Sequence, residues 1–327
     1  MERIVKIDYE RITFLKKIMN IYIACELKGL ERKILKESLR KHNLYFSNLN
    51  FGETADNNFL KCEIVFGNIP PNWIKQSTKI KWIQLESTGF GEYFNVKKNY
   101  LNKDVIITNL KSFFASQVAQ TTLAGIFSFY RGLSTFTLLK NKKKWIGDPM
   151  RAKLEILNNK NVLFFGKGSI NKEISKYLKV FNCQYSFVDS KSKKDFFINK
   201  LKNAEIVICA LPGIAKTKML FNKKMINYLS KKTIFVNVGR GNLIDEKYLI
   251  KKLKSNFLKG AILDVTAEEP LKKNNPLWSC PNLILTQHTG GGYKDEMKDK
   301  INFFLDNLQK FLKKNKVLNK INPLKGY

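Results

Sequence analysis

Residues 162–171 read Val162-Leu163-Phe164-Phe165-Gly166-Lys167-Gly168-Ser169-Ile170-Asn171, an apolar strand-like run that ends in Gly-x-Gly and opens a helix. Gly166 permits the tight turn, and Gly168 lets backbone approach a pyrophosphate whose charge would rest on the N–H groups at the helix start. The third glycine of the dinucleotide fingerprint is missing, and Asn171 stands in its place. That position ordinarily lets a helix pack closely on its strand, so a larger residue is expected to displace the helix and weaken the loop. Asp189 follows Gly166 by 23 residues, at the end of the next apolar run. It either accepts hydrogen bonds from an adenosine ribose, which favours NAD, or is a solvated turn residue. Lys191, Lys193 and Lys194 directly after it would suit a 2′-phosphate, so NADP is the alternative.

Around this loop the chain alternates strand-like runs with helical stretches, the pattern of a parallel α/β sheet. A first series covers 21–25, 44–47, 64–67, 80–85 and 105–109, and forms a small doubly wound domain. Residues 115–140 follow as one long helical pattern with little turn chemistry, long enough to cross between two domains. After the Gly147-Asp148-Pro149 break a second series covers 161–166, 184–189, 205–211, 233–239, 260–266 and 282–288, the six runs a dinucleotide-binding sheet needs. Residues 294–314 carry Met297, Ile301, Phe304, Leu305, Leu308 and Leu312 at helical spacing. That helix is expected to return to the first domain. The expected fold class is therefore α/β with two doubly wound domains, a Rossmann-type cofactor domain inserted in a flavodoxin-like substrate domain. Residues 1–18 are an N-terminal extension, 19–116 with 293–327 the substrate domain, and 117–292 the NAD(P)-binding domain.

Bulk properties narrow the function classes. The 327 residues carry a formal charge of +32, which at first suggests a nucleic-acid partner. The basic residues, however, are 52 lysines spread along the chain against seven arginines, and a protein that reads bases would cluster its charge and favour Arg. Abundant Asn and Ile beside Lys point to A/T-rich codon usage instead, and the excess charge is left to steer anions. No apolar run approaches the ~18 residues of a membrane span. Five cysteines, Cys25, Cys62, Cys183, Cys209 and Cys280, are odd in number and widely separated; they read as buried thiols in a reducing, cytoplasmic setting. No metal-ligand spacing is present.

Three residues in the last third carry the chemistry: Arg240 in Val-Asn-Val-Gly-Arg-Gly, Glu269 in Asp-Val-Thr-Ala-Glu-Glu-Pro, and His288 in Leu-Thr-Gln-His-Thr-Gly-Gly. Each ends an apolar run, the end at which open α/β sheets hold ligands. A planar guanidinium suits a carboxylate, an imidazole exchanges protons near neutral pH, and a carboxylate beside it stabilises the imidazolium. Singly, each is more often a surface or structural residue. Together they would hold a 2-oxo acid and protonate its carbonyl oxygen as a hydride arrives at carbon. The second histidine, His42, lies in a polar stretch before a strand and reads as structural.

With these motifs in hand the chain resembles the D-isomer-specific 2-hydroxyacid dehydrogenases from about Met19 to Tyr327. The likeness is strongest over 204–291, where Leu-Pro-Gly, Asn-Val-Gly-Arg-Gly-Asn-Leu-Ile-Asp-Glu, Gly-Ala-Ile-Leu-Asp-Val, Glu-Glu-Pro-Leu and Asn-Pro-Leu-Trp occur in family order. Within the family it looks most like the glyoxylate and hydroxypyruvate reductase type, and the ending Asn-Pro-Leu-Lys-Gly-Tyr is similar too. The resemblance implies that Arg240 orients the substrate, His288 is the acid/base and Glu269 hydrogen-bonds it. It implies cofactor contacts from Gly166, Gly168, Ser169, Ile170, Asp189, Leu211, Val238, Arg240, Asp264, His288 and Gly290. Substrate contacts would come from Thr88 and Gly89 in Ser87-Thr88-Gly89, together with Arg240. It further implies a homodimer built around the long helix, with Trp145 reaching a neighbour. Gln120 departs from the family's glutamate and is expected to alter only local hydrogen bonding. The expected function is an NAD(P)-dependent oxidoreductase acting on a small 2-oxo or D-2-hydroxy acid, with no nucleic acid and no membrane as partner. The alternative, motivated by Asn171, is a nucleotide-binding, corepressor-like scaffold without turnover.

Overall fold

The computed structural model describes residues 17–93 and 105–322. The N-terminal extension, apart from residues 17 and 18, and the ending beyond Asn322 lie outside the described residues. The chain divides into two compact units, one made from residues up to Lys111 and from Tyr293 onward, the other from Ser112–Gly292.

The first unit holds β1 (Asn20–Ala24), β2 (Asn43–Phe46), β3 (Ile64–Gly67), β4 (Trp82–Gln84) and β5 (Ile106–Thr108), all parallel in the order β2-β1-β3-β4-β5. This is the flavodoxin-like order. Parallel strands are buried on both faces and so read as unbroken apolar runs, as Ile-Val-Phe-Gly of β3 does. Alternate side chains feed two cores. Tyr22, Val65 and Ile83 join Phe59 and Trp73 on one face, while Ile21, Phe66 and Trp82 join Ile301, Phe304 and Leu308 on the other. The last three belong to the Glu296–Leu312 helix. Phe304 stacks on Phe66 at 4.5 Å and on Trp82 at 5.5 Å between ring centroids. Beneath it Asn307 donates to Gln84 Oε1 at 2.9 Å, and Thr108 donates to the same oxygen at 2.8 Å. A buried polar side chain is tolerated only when its bonds are made, so this pair also sets the helix register.

In the second unit lie β6 (Asn161–Phe165), β7 (Gln184–Val188), β8 (Ile206–Cys209), β9 (Ile234–Asn237), β10 (Gly260–Leu263) and β11 (Leu283–Leu285). They form one parallel sheet in the order β11-β10-β9-β8-β6-β7. All six expected strands are present, and they split two and four about the switch point. From β7 the chain runs through the Lys194–Asn203 helix straight to β8 on the far side of β6. The order therefore reverses between β6 and β8, beside the Gly166 loop. That is the position at which such sheets open a ligand crevice.

The long helix over 115–140 is corrected to two. Ala115–Tyr130 ends where Gly132 adopts a left-handed conformation (φ 65), and Leu133–Asn141 follows. One glycine inside an otherwise helical pattern supplied the turn. The first helix buries Val118, Ala119 and Ile126 against β6, β8 and β10 side chains; the second buries none. All five cysteines are free and buried, and burial pushes the Cys62 and Cys209 thiols up to about 12. Among the described residues no helix is long and apolar enough to cross a membrane.

Candidate active site

Gly166 ends β6 with φ 99, a conformation side chains resist, and its N–H donates to Val188 O of β7 at 2.8 Å. Gly168 then caps the Ser169–Val180 helix in extended backbone, with no side chain bonded to the helix start and no acid in its first turn. A Cβ built on Gly168 would meet nothing within 4 Å. The N–H groups of Ser169 and Ile170 thus begin a helix beside open space, which fits the diphosphate of a dinucleotide. Asn171 itself is fully buried, donating from Nδ2 to Phe165 O at 3.0 Å and Gly166 O at 2.8 Å.

Asp189 lies just past β7 on an exposed turn. Its Oδ1 accepts from Lys191 N at 2.9 Å and from the Ser192 hydroxyl at 3.3 Å. The Lys191 N–H first, then the Ser192 hydroxyl and the Lys191 and Lys167 charges, hold its carboxyl below the usual aspartate range. Leu211, after β8, would lie 3.0 Å from a Cβ on Gly166, and Val238, buried, bonds its N–H to Cys209 O at 3.0 Å. Leu211 therefore packs beside the loop, and Val238 lies one strand further along the sheet.

Arg240 follows β9 on an exposed position, its Nη1 donating to Gly239 O at 2.7 Å. Asn237, buried at the strand end, holds this corner: its Oδ1 accepts from Gly239 N at 3.1 Å and its Nδ2 donates to Arg240 O at 2.9 Å. The next residue has to be glycine. A Cβ on Gly241 would sit 1.7 Å from Thr266 O, inside the backbone of the loop after β10. That contact sets the Arg240 corner against the loop carrying Glu269.

Glu269 and His288 pair directly, Oε2 to Nδ1 at 2.7 Å. The other carboxylate oxygen accepts from Thr266 N at 2.9 Å, and Glu246 steadies the same loop through Ala267 N at 2.8 Å. Because a carboxylate only accepts, Nδ1 carries the proton and Nε2 is left for exchange. Gln287 and His288 both take left-handed backbone, φ 53 and 58, which non-glycine residues rarely adopt. Asp264 imposes it. Its carbonyl accepts from His288 N at 2.5 Å, and its buried carboxylate accepts from the Thr286 hydroxyl at 2.6 Å and Gly290 N at 2.9 Å. The loop is thus clamped on both sides of His288. A cavity of ≈ 380 Å³ opens against the pair, walled by Leu263, Pro270, Leu271, Trp278 and Leu285.

The second unit therefore brings Arg240, Glu269, His288 and Asp264 to one edge of one sheet, with the Gly166 loop at its switch point. Thr88 and Gly89 belong to the first unit, on the loop after β4. Thr88 donates from its hydroxyl to Leu110 O at 3.0 Å and accepts at its carbonyl from Asn109 Nδ2 at 2.7 Å. Asn237, Thr266, Thr286 and Glu246 were not anticipated from sequence; all four lie within quoted motifs, but nothing in their spacing signals the bonds they make. Gln120 donates from Nε2 to Ser116 Oγ, one turn back, at 3.2 Å, and His42 accepts from Met19 N at 3.2 Å. Among the described residues no cluster could hold a metal ion.

Residues 123–290 match the model of the D-isomer specific 2-hydroxyacid dehydrogenase NAD-binding domain, and the chain belongs to that family. It is 25% identical over 278 residues to a hydroxypyruvate reductase of Blautia hydrogenotrophica, covering 77% of this chain and 83% of that one. It is 25% identical over 214 residues to a glyoxylate/hydroxypyruvate reductase A of Arabidopsis thaliana, 63% of this chain and 68% of the relative. A D-isomer specific 2-hydroxyacid dehydrogenase from Xanthobacter autotrophicus, solved with NADPH and MES, has the same fold: TM-score 0.79, 19% identity, 95% of this chain and all of the other covered.

Proposed function

We propose that this protein is an NAD(P)-dependent reductase of small 2-oxo acids such as glyoxylate or hydroxypyruvate, yielding the D-2-hydroxy acid. The observation that carries the proposal is the His288–Glu269 pair at 2.7 Å, held on left-handed backbone by Asp264 beside the Arg240 corner. A reduced nicotinamide, when bound, supplies the hydride to the carbonyl carbon. Arg240 binds the substrate carboxylate and draws electron density toward the carbonyl oxygen. His288 delivers the proton from Nε2 to that oxygen, while Glu269 on Nδ1 stabilises the imidazolium that must form beforehand. The backbone of Thr88 and Gly89 is proposed as a further donor to the substrate carboxylate. Ser169 and Ile170 amides would receive the cofactor diphosphate, with Leu211, Val238, Asp264 and Gly290 beside it. Asp189 supports NAD as first cofactor; Lys167 and Lys191 near it leave NADP as second choice.

A cytoplasmic setting is supported by five unpaired, buried thiols. A homodimer is supported by the Leu133–Asn141 helix, which leaves Leu133, Phe136 and Leu138 exposed, and by Trp145, 94% exposed. The test is oxidation of NADH and of NADPH with glyoxylate, hydroxypyruvate, pyruvate and longer 2-oxo acids, beside His288→Ala. Turnover abolished in that variant is expected. Absence of turnover with both nucleotides, in a folded protein that binds them, would sink the reductase in favour of a nucleotide-binding scaffold.

A further inference from the structure

Asn171 occupies the position at which a dinucleotide loop ordinarily uses glycine, and its polar side chain is turned into the interior. It is fully buried. Its Nδ2 spends both hydrogens on two successive backbone carbonyls, Phe165 O at 3.0 Å and Gly166 O at 2.8 Å. Two acceptors in that place require the NH2 end of the amide, so its orientation is set by chemistry. Phe165 O also accepts from Ala210 N at 3.2 Å, which joins the end of β8 to the same node. Gly166 is gripped from the other side through its N–H to Val188 O. The strand end, the strained turn and the first helical turn are thus tied together by one amide. Oδ1, meanwhile, is buried and has no partner among the described residues. An unpartnered buried acceptor is unfavourable, so an Asn held here is favoured only through its donor half.

Resting on the cofactor reading above, we infer that Asn171 is a positioning residue of the dinucleotide loop: its amide fixes Gly166 and thereby the placement of the Gly168–Ile170 backbone that receives the diphosphate. A glycine lets helix and strand approach; the asparagine replaces that approach with a cross-link. Its removal loosens nucleotide binding and leaves the chemistry of the bound complex intact, because Asn171 touches neither His288 nor Arg240 in any recorded bond.

The experiment titrates NADH and NADPH into the purified full-length protein without substrate, following nucleotide fluorescence, and records melting in the absence of nucleotide. Asn171→Leu keeps the volume and removes both donors; Asn171→Asp keeps the shape and sets an acid against two carbonyls; Asn171→Ser retains one short donor should the leucine variant fail to fold. The expected result is a dissociation constant raised about tenfold in Asn171→Leu, the order expected for two lost hydrogen bonds, more in Asn171→Asp and less in Asn171→Ser. KM for the nucleotide should rise in the same order while kcat stays within about twofold. Unchanged dissociation constants in folded variants overturn the inference, as does a fall in kcat with KM constant. A parent protein that binds neither nucleotide overturns the cofactor reading itself, and a parent that binds them without turning over 2-oxo acids removes only the reductase.

Discussion

His288 and Glu269 keep 49% and 36% of their side-chain surface exposed, so replacing either removes chemistry without removing core. His288→Ala is expected to lower kcat by about 10²–10⁴, the usual share of a general acid, with little change in melting temperature. Glu269→Gln keeps a neutral acceptor and should cost less, which comparison of the two kcat values would show. Gly241→Ala belongs to a different kind of change. Its Cβ has no route around Thr266 O, so either the Arg240 corner or the Glu269 loop must move. A loss of about 1–3 kcal/mol in urea unfolding is expected, as for other overpacked sites, together with lost turnover; a stable and active variant would show that the two loops are not held as described. At this scale the residue types were legible, as was the Glu269–His288 pair through the family resemblance; the groups that hold them in place were not. Arg240, Glu269 and His288 stand out because cation, carboxylate and imidazole follow apolar runs. For Asn171 the sequence shows its size and hides the two carbonyls within reach of its amide.

Strands and helices were legible wherever burial writes itself as an apolar run, which is why nine of the eleven described strands fall inside their expected spans and β1 and β2 start one residue earlier. Strand order was less so, because parallel strands look alike in sequence and their neighbours are chosen by crossovers; hence the two-and-four split about β6 and β8. The Glu296–Leu312 helix is the element most open to a stability test. Phe304→Ala removes a ring stacked on both Phe66 and Trp82 and should cost about 3–5 kcal/mol. A second test concerns the opposite end of the cofactor sheet, where Glu155 pairs with Lys160 and Lys259, and Lys160 with Glu205. Burial alone would raise the Glu155 carboxyl, but hydrogen bonds from Lys259 and Lys160 outweigh it and hold the group below its ordinary value. A carboxyl depressed in the folded state adds stability above its unfolded value, and that contribution fades as pH falls through the folded one. Glu155→Gln should therefore melt below the parent at neutral pH, with the gap closing in acid. A gap that persists unchanged to the lowest pH would assign it to packing instead.

For the whole molecule, a charge of +32 carried mostly by lysine accompanies a site proposed to take anionic cofactor and substrate. Diffuse charge of this kind raises encounter rates, and it is screened over ~10 Å at about 0.1 M salt. Raising salt is expected to lower kcat/KM for NADH while leaving kcat nearly constant; equal falls in both would point to damage at the site rather than lost attraction. Division into two units was legible through the doubled strand series, whereas the interrupted helix at Gly132 was not, one glycine being too small a signal. The return of residues 296–312 to a sheet whose other strands end by Thr108 also has a consequence for how the chain is born. During synthesis the face formed by Ile21, Phe66 and Trp82 leaves the ribosome early, and its cover leaves only after the whole second unit. For most of translation the nascent chain presents an oily, uncovered surface. A chain stopped at residue 292 should bind hydrophobic dyes and associate with chaperones, and a chain that includes the Glu296–Leu312 helix should shed both.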